Sequence, residues 1–191
     1  MKKKLNLVII ILTFCFIFFG LFLGLQKNSL YEPKNFYTKE IINFKSKEFF
    51  SLEELHLYDV LKKEDLSILN IWASWCMPCR EEHKYIVKIS NELDVNLIGL
   101  NYKDKESSAK KFINDYGNPY NSILVDNDGT NSIELGAYGV PETFIINNKN
   151  KHIIKKYIGP LNKISFNEIK QIIKNDINYI LINNISIFFP S

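Results

Sequence analysis

Hydrophobic positions fall into three patterns along the chain, each predicting a different element. The first is continuous. Leu5 to Leu25 is apolar apart from Asn6 and Thr13 and carries no charge, and its 21 residues make a helix of about 30 Å at ~1.5 Å per residue, the thickness of a bilayer's hydrocarbon core. The second pattern is a set of short apolar runs: Ser67–Ala73 (SILNIWA), Val95–Leu100, Ser122–Val125, Thr143–Ile146 and Ile153–Ile158. These predict strands, the first buried on both faces of a sheet. The third is a helical period. From Pro78 it puts Cys79, His83, Ile86, Ser90 and Leu93 on one face with Ile89 beside it, and over Lys105–Tyr116 it aligns Ala109, Phe112, Ile113 and Tyr116. From about Ser165 it places Ile169, Ile172, Ile173, Asp176, Ile177 and Ile180 on one stripe. Gly117-Asn118-Pro119, Asp126–Gly129 and Asn147–Asn150 punctuate these runs as turns. Strands alternating with helices and closing on a hairpin and a helix predict an α/β sandwich.

The same pattern divides the chain. Residues 1–25 are expected to be a transmembrane anchor, 26–35 a polar tether, 36–178 the folded domain and 179–191 an apolar tail too short to span a bilayer. Lys2, Lys3 and Lys4 precede the apolar run and only Lys27 follows closely, so the N-terminus is expected inside the cell and the domain outside it. The alternative is a cleaved signal peptide, which would carry a shorter apolar region and an A-x-A-like site that Gly20–Gln26 does not offer. A lipoprotein processing site at Cys15 would call for small residues that Leu12-Thr13-Phe14 lacks.

Charge narrows the function. The formal charge is +3, and the three leading lysines supply all of it: setting them aside leaves 24 − 3 = 21 basic residues against 21 acidic ones. A neutral domain has no basic footprint for nucleic acid. With 46% hydrophobic and 24% charged residues, the chain is globular rather than disordered.

Cysteine carries the chemistry. Of three cysteines, Cys15 lies within the apolar segment as filler, leaving Cys76 and Cys79 as the pair outside it. A C-x-x-C ring is too small to staple a fold, so the pair is there to react. It lies where the Ser67–Ala73 strand gives way to a helix, with Pro78 suited to the first helical turn. The thiolate is the nucleophile, and an ordinary thiol with pKa ~8.5 is only about 3% ionised at pH 7. Unpaired N–H groups and the dipole at a helix N-terminus favour the anion. Cys76, expected to be solvent-open at the helix mouth, is therefore the attacking residue; Cys79, one turn deeper, resolves the mixed disulfide. The alternatives are half of a zinc site, for which only His83 follows at helical spacing while His56 and His152 are scattered, and haem attachment, for which Arg80 stands where a histidine is needed. No metal is expected, and no cofactor beyond the redox-active Cys76–Cys79 disulfide. His83 is expected at a surface or half-buried helix position.

Trp72-Ala73-Ser74-Trp75-Cys76-Met77-Pro78-Cys79-Arg80 resembles the active-site segment of thioredoxin-like proteins. Asn101-Tyr102-Lys103-Asp104, Gly117-Asn118-Pro119-Tyr120, Gly139-Val140-Pro141-Glu142-Thr143-Phe144 and Gly159-Pro160-Leu161 resemble the DsbE/CcmG family, with landmarks in order from about Phe44 to Lys174. These are membrane-tethered thiol:disulfide oxidoreductases of cytochrome c maturation. The resemblance implies a thioredoxin-like three-layer sandwich, a central mixed sheet with helices on both faces, behind the single N-terminal helix. It implies an anchor in the bacterial inner membrane with the domain in the periplasm. The substrate would be apocytochrome c or the partner thiol protein of that pathway, and a transmembrane thiol-electron carrier would re-reduce the pair.

The resemblance further implies a cis Val140–Pro141 bond beside the cysteines, offering backbone to an extended substrate, and substrate contacts from Trp75, Met77, Pro78 and Val140. Ordinary thioredoxins carry a buried acid where this chain has Asn70, which cannot titrate. The family's acids match Glu82 and Glu142, expected to accept the proton of Cys79 or to tune the pair, unless Glu82 is merely a solvated helix residue. Two other readings stay open: a general extracytoplasmic disulfide reductase with the same site, and a non-catalytic apocytochrome-binding module, against which both cysteines and Pro141 weigh.

Overall fold

In the computed structural model the backbone is described for residues 2–25, 40–61 and 65–188, with side chains of the final helix described as far as residue 175. The expected tether, residues 26–35, lies outside the described residues. The chain forms two compact units, residues 1–34 and 35–191. The first contains helix α1 (Lys2–Leu25). Its Lys4–Leu23 stretch, of mean hydropathy 2.7, is long and apolar enough to cross a membrane.

The second unit is built on a seven-stranded mixed sheet in the order β2-β1-β5-β4-β3-β6-β7. Its strands are β1 (Lys45–Glu48), β2 (Glu54–His56), β3 (Leu66–Trp72), β4 (Asn96–Tyr102), β5 (Ser122–Asp126), β6 (Glu142–Asn147) and β7 (His152–Ile158). Its helices are α2 (Leu57–Val60), α3 (Met77–Glu92), α4 (Glu106–Tyr116), α5 (Thr130–Glu134) and α6 (Lys163–Phe188). β3, β4 and β5 run parallel, joined by crossovers through α3 and α4. β6 and β7 add antiparallel on the other side of β3.

Every residue of β3 is buried, as its unbroken apolar run predicts. Its alternate side chains feed two cores. Leu66, Ile68 and Trp72 join α3, α4 and α6 through Ile86, Ile89, Phe112, Phe166 and Ile169. Leu69 and Ile71 join α2 and α5 through Leu57, Val60, Leu61 and Leu135. Helices thus cover both faces of the sheet, in a thioredoxin-like three-layer sandwich.

The observed bounds differ from the sequence expectation by one or two residues at most elements. More was missed at the sheet's other end. β1 is Lys-Ser-Lys-Glu, with one inward residue, Ser46, whose Oγ donates to Val125 O at 2.8 Å. A polar strand carries no hydrophobic alternation to read.

Candidate active site

Cys76 is the N-cap of α3, in extended conformation, and its sulfur accepts the Cys79 N–H at 3.2 Å. Pro78 lies in the first turn, where no N–H is needed. Cys76 and Cys79 are joined as a disulfide. The expectation of a solvent-open Cys76 above a deeper Cys79 needs correcting: both are buried, at 4% and 2% accessibility. Cys76 packs in one buried cluster with Cys79, Trp72 and Ala73. Exposure at the site comes instead from Trp75, at 57%, and from Met77 and Pro78.

The buried face of α3 is Cys79, Glu82, His83, Ile86 and Ile89. Ser90, expected on that face, is exposed, and Glu82, which the helical period did not place there, is buried on it beside His83, which it did. His83 is not a surface residue. Its ring sits 3.0 Å from Gly117 O and packs edge-on against Phe112. Burial lowers its pKa, opposed by the backbone carbonyls of Gly117 and Tyr116.

Glu82 is no solvated helix residue either: it is 1% accessible. Its Oε1 accepts from Asn70 Nδ2 at 2.9 Å and its Oε2 from Leu161 N at 2.7 Å. Asn70 also donates to Thr143 Oγ1 at 3.0 Å and accepts from Tyr120 OH at 2.8 Å. Burial pushes the Glu82 pKa up to about 7, with the Leu161 and Asn70 donors pulling the other way. The Tyr120 phenol is raised well above its ordinary value by burial and by the Glu82 charge. So the strand position that titrates in ordinary thioredoxins is here an amide, presenting a carboxylate from the helix one turn past Cys79.

The Val140–Pro141 bond is cis. β6 begins at the next residue, and Glu142 pairs with Ile71 near the end of β3. That register brings Pro141 to the strand end from which the cysteine loop departs, and Val140 packs against the cluster that holds both cysteines. The Glu142 carboxylate faces away from Glu82, towards the other core. Its Oε1 accepts from Tyr138 N at 2.7 Å and Gly139 N at 3.1 Å, and its Oε2 pairs with Lys156 Nζ at 2.8 Å. Lys156 donates to Gly136 O at 2.8 Å and sits 4.1 Å from the centroid of the Tyr138 ring. Gly159 N donates to Pro141 O at 3.0 Å, so the Gly159–Leu161 turn holds both the cis-proline carbonyl and, through Leu161, Glu82.

Lys156, Tyr120 and Thr143 were not singled out from sequence as site side chains. Tyr120 and Thr143 lie inside the quoted motifs; Lys156 gave no signal, being one of two adjacent lysines in a predicted strand.

A disulfide-bonded C-x-x-C pair capping a helix, a cis-proline loop at the neighbouring strand and this sandwich together define a thioredoxin-like thiol:disulfide oxidoreductase. The redoxin family model matches residues 44–173. The thiol:disulfide interchange protein DsbE of Haemophilus influenzae is 36% identical over 167 residues, 85% of this chain and 90% of its own length. DsbE of Vibrio cholerae is 42% identical over 125 residues, covering 62% of this chain and 66% of that protein. CycY of Rhizobium leguminosarum is 37% identical over 112 residues, so the match spans only 60% of CycY. The chain belongs to the redoxin family and, within it, to the DsbE-type thiol:disulfide interchange proteins. Among solved structures, a DsbF homologue from Corynebacterium diphtheriae superposes with TM-score 0.59 at 22% identity, covering 75% of this chain and 96% of that one. A secreted thiol-disulfide isomerase from Corynebacterium glutamicum gives 0.58 at 19%, covering 74% and 92%. At such identities these two speak for the fold alone.

Proposed function

We propose that the protein is an extracytoplasmic reductant of cytochrome c maturation, held to the bacterial inner membrane by α1 with its redox domain in the periplasm. Its substrate is the haem-attachment C-x-x-C disulfide of apocytochrome c, or the partner thiol protein that carries that disulfide onward. The observation that carries the reading is the Cys76–Cys79 pair capping α3 above a buried Glu82, in a chain that shares the DsbE landmarks. The dithiol needs no metal and no further cofactor.

In the reduced protein the Cys76 thiolate attacks one sulfur of the substrate disulfide. A mixed disulfide forms and the other substrate sulfur leaves as thiolate. Cys79 gives its proton to the Glu82 carboxylate and attacks Cys76 Sγ as the thiolate, closing the Cys76–Cys79 disulfide and expelling the second substrate sulfur as thiolate; the substrate becomes a dithiol by taking up one proton from Glu82 and one from solvent. Two electrons pass to the substrate, and a transmembrane thiol-electron carrier returns them. Trp75, Met77, Pro78 and Val140 form the contact surface, and the backbone around Pro141 pairs with an extended substrate segment. Glu142 has both oxygens engaged by Lys156 and the loop amides, which gives it the role of fixing the cis-proline loop while Glu82 handles the proton.

Trapping tests this. Cys79→Ala cannot resolve, so it should accumulate mixed disulfides on Cys76 with an oxidised peptide containing Cys-x-x-Cys-His, and in cells with apocytochrome c or its thiol partner. Failure to trap either, with capture of unrelated periplasmic proteins instead, would move the reading to a general reductase. A Cys76→Ala protein that still supports cytochrome assembly would leave only a binding module.

A further inference from the structure

Ser74, two residues before Cys76, is held on three sides. Its N–H donates to Asp104 Oδ2 at 2.5 Å and its hydroxyl to Asp104 Oδ1 at 2.7 Å. Its carbonyl accepts two bonds from the Arg80 guanidinium, at 3.1 and 2.8 Å. Asp104 is itself fixed by Asn101 Nδ2 at 3.1 Å and Lys105 N at 2.8 Å. The residue before it, Lys103, has φ of 44°, in the left-handed region that a lysine rarely adopts. That backbone turn lets Lys103 donate its N–H to Asp126 O at 2.8 Å while its carbonyl accepts the indole N–H of Trp75 at 3.0 Å. The outcome is an aromatic ring more than half exposed yet fixed at its polar atom.

An exposed aromatic is an effective anchor for a partner when its rotamer is set before binding, because immobilising it in the complex then costs little. From this geometry we infer that Asp104 is a positioning residue for protein substrates: it pins the β4–α4 loop to Ser74, and the loop in turn presents Trp75 to the partner. The inference rests on the thiol:disulfide reading of the site. Asp104 makes no contact with either sulfur in the hydrogen-bond network, so a small disulfide, which needs no aromatic anchor, is indifferent to it.

The test compares reduction of a disulfide-bonded Cys-x-x-Cys-His peptide with reduction of hydroxyethyl disulfide by the full chain. Asp104→Ala should raise KM for the peptide about fivefold, the scale of ordering one large side chain. It should leave kcat, and the rate with hydroxyethyl disulfide, within about twofold. Asp104→Asn keeps a single acceptor oxygen, enough for Ser74 N, and should recover part of the loss. In a Trp75→Phe background, Asp104→Ala should add little, because the two changes remove one device. If rates with both disulfides fall together, or if the two substitutions add fully, the inference is overturned. A second readout stands apart from turnover. In fluorotryptophan-labelled protein, Asp104→Ala should shift and sharpen the fluorine resonance of Trp75 and spare that of Trp72. Should wild type prove inactive on the peptide, the functional reading fails on its own, and an unmoved Trp75 resonance would still refute the positioning role.

Discussion

The carboxylate of Glu82 accepts a 2.9 Å hydrogen bond from the side-chain amide of Asn70, in a site where neither residue meets solvent. An amide that cannot titrate thus holds an acid that can. The arrangement separates the geometric duty of the strand position from the protonic duty of the helix position, and it has measurable consequences.

The first concerns pH. Folding raises the Glu82 pKa from 4.5 to about 7, so the native state binds a proton that the unfolded chain releases. Its contribution to stability is complete below ~4.5 and is lost as pH rises through about 7, by on the order of 3 kcal/mol. Denaturant unfolding of the oxidised protein across this window should show that decline, and Glu82→Gln should flatten it. The same substitution should slow resolution of the mixed disulfide roughly a hundredfold, the lower range for a positioned base. Unchanged resolution kinetics would refute the proton role.

A second concerns the pair Glu142–Lys156, whose side chains are 2% and 3% accessible. Removing one partner strands the other charge in the core, so Glu142→Gln or Lys156→Met should each cost about 3–5 kcal/mol. The double variant should cost clearly less than their sum. Additive losses in denaturant titrations would mean that the two side chains do not depend on each other.

Sequence legibility follows the same divide between apolar and polar burial. The Leu66–Trp72 strand and the Met77–Glu92 helix could be read because the core they enter is made of Ile, Leu and Trp. The burial of Glu82 could not, since a charged residue on a helix reads as solvated until its partners are known, and His83 could be set on the inner face but not at its full depth. Those partners come from far along the chain: Leu161 for Glu82 and Gly117 for His83. Lys156 was illegible for the same reason, paired as it is with a glutamate that the chemistry of the cysteines had claimed. The exposure of Cys76 was misjudged because a cap position was equated with an open one, whereas the sulfur turns inward to the helix it caps.

Gly99 supplies a third test. A Cβ there would lie 2.9 Å from Trp72 Nε1 and 3.1 Å from the Tyr120 ring. Gly99→Ala should destabilise the domain by about 1–3 kcal/mol through overpacking. By displacing Tyr120 it should also loosen the 2.8 Å bond to Asn70. Calorimetry reads the first effect, and a Tyr120 ring resonance that broadens or shifts reads the second. A variant with wild-type stability would mean that the stack yields without cost.

A fourth concerns His83, whose ring is buried against Phe112 with a pKa below the ordinary 6.5. Here the folded pKa is depressed, so the neutral ring's contribution is present above 6.5 and is lost as pH falls through the folded value. An NMR titration should find the His83 midpoint below 6.5, and His83→Gln should remove part of the acid sensitivity of unfolding. A midpoint above 6.5 would contradict the burial argument.

The two cysteines stand three positions apart on one turn of helix. A cross-link so local fastens no distant parts of the molecule together, and closing it removes little of the unfolded chain's freedom. The scaffold therefore resembles the body of a rechargeable cell: its cohesion comes from the sheet and the helices, and the electron pair is loaded and unloaded at a bond that holds none of them together.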